Sequence, residues 1–239
     1  MKSYRYFDLV MAAFVAVLLI SNIASSAKIV DWGVSIFGLR LSFDGGTLLF
    51  PLSYIFGDIL TEVYGYARAR RVIWTGFACS ALMSLSLLAI LHMPGDREWM
   101  AYAGDEKYQA ILGGVSSGGI ITASLLAYFF GEFSNSYVLA KMKVWMQGRF
   151  LWMRTIGSTV IGEAVDTVLF IALASFFGVF PWTLFWSLVV ANYIFKVAIE
   201  AIFTPLTYRI VAFLKREEQE DYYDRQTDFN PFSLQQTPR

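Results

Sequence analysis

Ionisable side chains lie deep inside apolar runs long enough to cross a lipid bilayer, and this constrains the fold more than any other feature of the chain. Asn192, Lys196 and Glu200 recur every four residues within Leu184–Leu206, and Glu163 and Asp166 lie three apart within Ile156–Phe177. At those spacings the side chains share one helix face. Each ionised residue at a bilayer centre costs about 2.5–3.5 kcal/mol on insertion scales, so each needs a partner or a purpose. A polar substrate pocket inside a membrane carrier supplies one.

Composition agrees with a membrane setting. Apolar residues make up 56% of the chain, aromatics 17% and charged residues only 16%, against about a quarter charged in soluble domains. A soluble protein with a large core is excluded by run length, because core helices are shorter and apolar on one face. Net charge is zero, which leaves no electrostatic case for nucleic acid. The lone Cys79 allows no internal disulfide or thiolate metal site, and the lone His92, near the end of an apolar run, reads as an interfacial residue. No cofactor is implied.

Six spans of about 20 residues are expected: Tyr6–Ala27, Gly45–Tyr64, Val72–Met93, Gly119–Ala140, Thr155–Phe177 and Trp182–Tyr208. They define an all-α transmembrane domain over 1–214, followed by a polar cytoplasmic tail over 215–239 read as a solvated extension. Pro51 interrupts the second span, either as a simple kink or as a broken helix lining a site. The first span has basic residues ahead of it, as a signal peptide does, but it is long for one and five more follow. A short helix is expected around Asp96–Tyr102, in a long connection that ends in the glycine- and serine-rich stretch around Ser117.

Basic residues gather on one side: Lys2 and Arg5, then Arg68, Arg70 and Arg71, then Lys141, Lys143, Arg149 and Arg154, then Arg209, Lys215, Arg216, Arg225 and Arg239. The other side has Lys28, Arg40, Arg97 and Lys107. The positive-inside rule then makes both termini cytoplasmic. Trp32, Trp74, Trp145, Trp152, Trp182 and Trp186 fall near span ends, as an aromatic belt requires.

The fifth and sixth spans join through Gly178–Pro181, so they are antiparallel neighbours. At ~1.5 Å per residue, Glu163 and Asp166 lie ~12–18 Å in from Thr155, and Asn192 and Lys196 lie at similar depth from Trp182. A ligand site and a structural ion pair both fit that meeting. Ser158 and Gly162 form a small-residue pair that permits close helix approach. The second span adds Asp58 and Glu62, of which Glu62 is expected to pair with Arg68 or Arg70 at the interface. The fourth adds Glu132 and Asn135 beside Gly131. Asp58, Glu132, Glu163, Asp166 and Glu200 outnumber Lys196, so they must be protonated, paired or matched by a donor-rich ligand. An acid can accept two parallel hydrogen bonds from a guanine-like edge, Asn192 can read the adjacent carbonyl, and Tyr193 or a nearby Phe can stack on the ring. Catalysis has little support: there is no serine–histidine arrangement, no metal cluster and no phosphate loop, and the aspartates lack the setting of an intramembrane protease.

The segments Asp58-Ile-Leu-Thr-Glu-Val-Tyr-Gly65, Gly131-Glu-Phe-Ser-Asn-Ser136, Ser158-Thr-Val-Ile-Gly-Glu-Ala-Val-Asp-Thr167 and Asn192-Tyr-Ile-Phe-Lys196 occur in that order, with Glu200 and Pro205 beyond. Together with Asp221-Tyr-Tyr-Asp224 and Asp228-Phe-Asn-Pro-Phe232, they resemble the queuosine precursor transporters over residues 43–232. The resemblance implies uptake of 7-deazaguanine precursors (7-cyano, 7-aminomethyl, or the queuine base) across a bacterial inner membrane. It also implies a fold like the six-helix substrate-binding components of energy-coupling-factor vitamin transporters. By the same resemblance Glu163, Asp166, Asn192 and Lys196 become ligand residues, with Glu132, Asn135 and Asp58 behind them. The implied partners are a nucleobase-like small molecule and the bilayer, and a homo-oligomer is compatible with both. Two rivals are a substrate-binding subunit of an ATP-driven importer, docking through Ala12 and Ala16, and a non-transporting membrane scaffold or enzyme.

Overall fold

The computed structural model describes residues 4–36, 39–116 and 118–233. Lys2, Ser117 and Arg239, and the side chains of Trp32 and Arg40, lie outside the described residues. The order is α1 (Phe7–Ala27), β1 (Ile29–Ile36), β2 (Leu39–Asp44), α2 (Phe50–Tyr64), α3 (Tyr66–Leu91), α4 (Arg97–Tyr102), α5 (Gly104–Ser116), α6 (Gly118–Trp145), α7 (Leu151–Phe176) and α8 (Phe185–Glu218). Among the described residues, five helical stretches are long and apolar enough to cross a membrane: Phe7–Ala27, Tyr66–Leu91, Gly104–Trp145, Leu151–Phe176 and Trp182–Glu218.

The expected second span takes a different form. It begins as a 3-10 turn over Gly45–Leu48 and continues as α2, which has 15 residues. At ~1.5 Å per residue such a helix falls short of a bilayer core of ~30 Å. Pro51 does not kink it. It occupies the first turn, where no backbone N–H is needed. The chain is also not purely helical: β1 and β2 pair antiparallel from Ile29–Asp44 to Ile36–Leu39. The short helix α4 is where it was expected, with the Asp96 carboxylate accepting from the backbone of Glu98 and Trp99.

Polarity is distributed inside out. Leu82, Leu85, Phe130, Ile161, Ile194 and Ile202 point outward, whereas Asp58, Glu132, Asn135, Ser136, Ser158 and Glu163 are buried. Lipid solvates the first set, and only the protein interior can satisfy the second. Trp145, Trp152, Trp182 and Trp186 are exposed near helix ends, as the belt requires. Trp74 is not a belt residue. Its indole donates to the Pro231 carbonyl (2.8 Å) and packs against Phe129 and Phe232.

That contact corrects the reading of the tail as a solvated extension. Residues 219–233 form a strap across one end of the bundle. Asp224 is buried and its carboxylate accepts from Tyr66 N (3.0 Å) at the start of α3 and from Thr227 Oγ1 (2.7 Å). Arg70 donates to the carbonyls of Asp228 (2.9 Å) and Asn230 (2.7 Å). Tyr222 N donates to Val63 O, and its ring lies over Gly65, leaving no room for a Cβ there. Gly65 also has a φ of 85°. The N-terminus meets the same end: Tyr6 N donates to Glu218 (2.6 Å) and the Tyr4 hydroxyl to Glu220 (2.6 Å). The start of α1 and the end of α8 therefore lie together.

Glu62 is the centre of this end, and its partners are not Arg68 or Arg70. Arg154 binds both of its oxygens, Lys215 lies at 2.6 Å and Lys143 at 3.7 Å. Asp221 of the strap bridges Lys143 (2.6 Å) and Lys215 (2.8 Å). Glu62, Lys143 and Arg154 are all buried. Removing one partner of such a group strands the others and costs about 3–5 kcal/mol. Glu62→Ala is expected to lower the thermal unfolding temperature in detergent sharply. Glu217→Ala, which breaks an exposed pair with Arg216, should change little.

A pH response follows at Asp221. Partial burial raises this carboxyl, but hydrogen bonds and charge from Lys143 and Lys215 outweigh that and hold it below the usual carboxylate range. A depressed carboxyl stabilises the strap above its unfolded value of ~3.9, and the stabilisation disappears as pH falls below that. A nitroxide label at the exposed Gln226 should become mobile below pH ~4. In Asp221→Asn it should be mobile at neutral pH.

Candidate substrate cavity

α6 and α7 make the most extensive helix–helix contact in the bundle, and glycine permits it. A Cβ at Gly162 would come 2.7 Å from the Asn135 Cβ, and one at Gly131 would come 2.7 Å from the Asp166 Cβ and 2.9 Å from the Tyr54 hydroxyl. The small-residue pairing read from Ser158 and Gly162 thus lies at a real helix crossing. α7 then packs on α8, which brings Asp166 and Glu163 against Lys196.

The Lys196 ammonium sits 2.6 Å from Asp166 Oδ2 and 2.9 Å from Glu163 Oε2, with the Phe50 ring centroid at 5.2 Å. Asp166 and Lys196 line a cavity of about 470 Å³, within the range of small-molecule sites, with Glu163 behind them. The walls come from the end of α1 (Asn22), the middle of α3 (Ser80, Ser84), the start of α6 (Ser124), α7 (Thr167) and the start of α8 (Asn192). These elements meet the strap at their opposite ends, so cavity and strap occupy opposite halves of the bundle.

The residues singled out by sequence fall into three groups. Asp166, Asn192 and Lys196 line the cavity, with Glu163 buried directly behind them. The Asn192 amide nitrogen donates to Leu188 O (2.9 Å). Deeper in the bundle, Asn135 donates to Asp58 (2.8 Å), tying α6 to α2, and Glu132 and Glu200 are buried with neither oxygen hydrogen-bonded among the described residues. Tyr193 is turned away, its hydroxyl donating to Val160 O (3.1 Å). The aromatic lining comes instead from Phe50, Phe170 and Phe180. Phe50 was missed because its position depends on where α2 begins, and Ser80 and Ser124 because lone serines in apolar helices carry no signal. Among the described residues no group of His, Cys, Asp and Glu is placed to hold a metal ion.

Residues 44–210 match the family model described as "Putative vitamin uptake transporter". Two curated proteins align over most of their lengths. The "Probable queuosine precursor transporter" of Bacillus subtilis is 27% identical over 187 residues, 78% of either chain. The "Queuosine precursor transporter" of Escherichia coli is 24% identical over 194 residues, 79% of this chain and 80% of that one. This chain belongs to the queuosine precursor transporter family. No solved structure matches it. The family match runs from the start of α2 into α8, covering every cavity-lining helix except α1, and ends before the strap. As a family member the chain is a multi-pass membrane protein.

The glycine crossing can be tested directly. Gly162→Val and Gly131→Val force backbone apart and are expected to cost about 1–3 kcal/mol or more, read as a lower unfolding temperature and poor membrane yield. Gly157→Ala is the control: its Cβ would meet only the flexible end of Met142, at 3.0 Å, and should be tolerated.

Proposed function

We propose that the chain imports 7-deazaguanine precursors of queuosine (the 7-cyano or 7-aminomethyl base, or queuine) across a bacterial inner membrane. The observation that carries this reading is the cavity lined by Lys196 and Asp166, with Glu163 behind them, in a chain of this family. The Asp166 carboxylate accepts the adjacent ring N–H and exocyclic amine of a guanine-like edge. Lys196 and Asn192 donate toward the carbonyl, and Phe50 packs on the ring face. Glu163 keeps Lys196 neutralised when the base engages Asp166.

In this reading α2, with the 3-10 turn before it, completes a six-helix bundle like that of energy-coupling-factor binding components. The basic strap end faces the cytoplasm under the positive-inside rule. The cavity then lies on the periplasmic side, and in this reading the conformation is that of an outward-facing carrier closed inside. A second reading, a substrate-binding subunit for a separate ATP-driven module, is favoured by one observation: Ala12 and Ala16 are both exposed on α1.

Uptake of labelled 7-cyano-7-deazaguanine into proteoliposomes containing this protein alone separates the two readings. Uptake there excludes a requirement for an ATPase. Lys196→Ala is expected to abolish uptake, and Asp166→Asn to reduce it at least about tenfold, the loss of one charge-assisted hydrogen bond. Normal uptake in both variants, with normal membrane insertion, would sink the assignment of the site. Rescue of queuosine-modified tRNA by each base, in cells unable to make it, identifies the cargo.

A further inference from the structure

The acids beneath the cavity floor are not needed to hold the base, and the helix contacts do not neutralise them. Glu132 is fully buried, and neither of its oxygens has a hydrogen-bond partner among the described residues; the same is true of Glu200 at 1% exposure. They come from different helices, α6 and α8. An ionised carboxylate held there without a partner costs several kcal/mol, whereas the neutral acid costs far less.

The groups within electrostatic reach of Glu132 are Tyr54 and Asp58 from α2, Glu163 and Asp166 from α7, and Lys196 from α8, with Tyr128 on its own helix. Glu200 lies within electrostatic reach of Asp58, Glu132 and Glu163. Asp58 in turn reaches Glu62 and Arg154 at the strap end. From α3, Cys79 approaches Tyr128. Titratable groups from α2, α6, α7 and α8 thus lie within electrostatic reach of one another between the cavity and Glu62. Two cations bound this set. Lys196 already holds Asp166 and Glu163 above, and Arg154 is committed to Glu62 below.

We propose that Glu132 and Glu200 form a proton-binding site that couples base uptake to a proton gradient. This rests on the carrier reading above. Facing outward, the empty carrier takes up a proton from outside water on one of these unpartnered carboxylates, forming its O–H bond. The neutral acid leaves Lys196 to Asp166, Glu163 and the incoming base. When the strap end opens, that bond breaks, the proton passes to cytoplasmic water and the base leaves with it. One proton moves inward with each base.

The experiment has a transport arm and a substrate-free arm. In proteoliposomes with the membrane potential clamped, a one-unit gradient, acid outside, should raise 7-cyano-7-deazaguanine accumulation up to about tenfold, and a protonophore should remove the gain. Glu132→Gln or Glu200→Gln should retain equilibrium exchange of labelled base but accumulate no more with the gradient than without it. Accumulation indifferent to the gradient in the native protein, or undiminished in both variants, overturns the proposal. The second arm is infrared difference spectroscopy of the protein in lipid nanodiscs across a pH series. Protonated-carboxyl bands that titrate, and vanish in Glu132→Gln or Glu200→Gln, support the site; bands unchanged in both variants overturn it. If no deazaguanine exchanges at all, the substrate reading fails alone, and the infrared result still decides the proton site.

Discussion

A carboxylate in a bilayer cannot borrow water, so the protein must bring charge to it. Glu62 shows what this demands. Its partners come from α6, α7 and α8, and Asp221 of the strap ties two of them together. No pair of these helices can slide without breaking an ion pair in a medium that offers no substitute. The end of the bundle around Glu62 is therefore pinned, and the rest of the architecture is arranged relative to it.

The opposite half is built differently. The charge there is smaller and placed at the edge of empty space, with Lys196 shared between two acids and flanked by a phenylalanine ring. Glycine keeps α6 and α7 in close contact between the two halves, beneath a cavity walled by the end of α1, the middle of α3, α7 and the starts of α6 and α8. A ligand entering the cavity meets one fixed charged surface and otherwise mostly apolar and hydroxyl-bearing walls. Cavity and strap are thus separated along the bundle axis by the layer containing Asp58, Asn135, Glu132 and Glu200.

Much of this was legible from residue spacing. Helical periodicity placed Glu163, Asp166, Asn192 and Lys196 on facing stripes, and the short link at Gly178–Pro181 made their helices neighbours. Small residues marked the α6–α7 crossing. What escaped depended on contacts between segments distant in sequence. Tyr193 lies next to Asn192, yet one residue on a helix turns a side chain by ~100°, enough to take it off the cavity. Pro51 reads as an interruption until the start of α2 is known. Trp74 reads as a belt residue because only the strap, more than a hundred residues later, reveals its bond to Pro231. The strap itself reads as solvated from its acidic composition. Charge density marks exposure only where no buried cation waits for it, and Lys143, buried with only 1% exposure, was waiting for Asp221.

The order of synthesis gives the Glu62 cluster a further consequence. Glu62 emerges from the ribosome 92 residues before Arg154 and 153 before Lys215. For the next 92 residues of synthesis that carboxylate lacks the Arg154 guanidinium, and the segment bearing it is the 15-residue helix that falls short of a bilayer core. The charge network that fixes α2 in the bundle is therefore complete only once the end of α8 has been made.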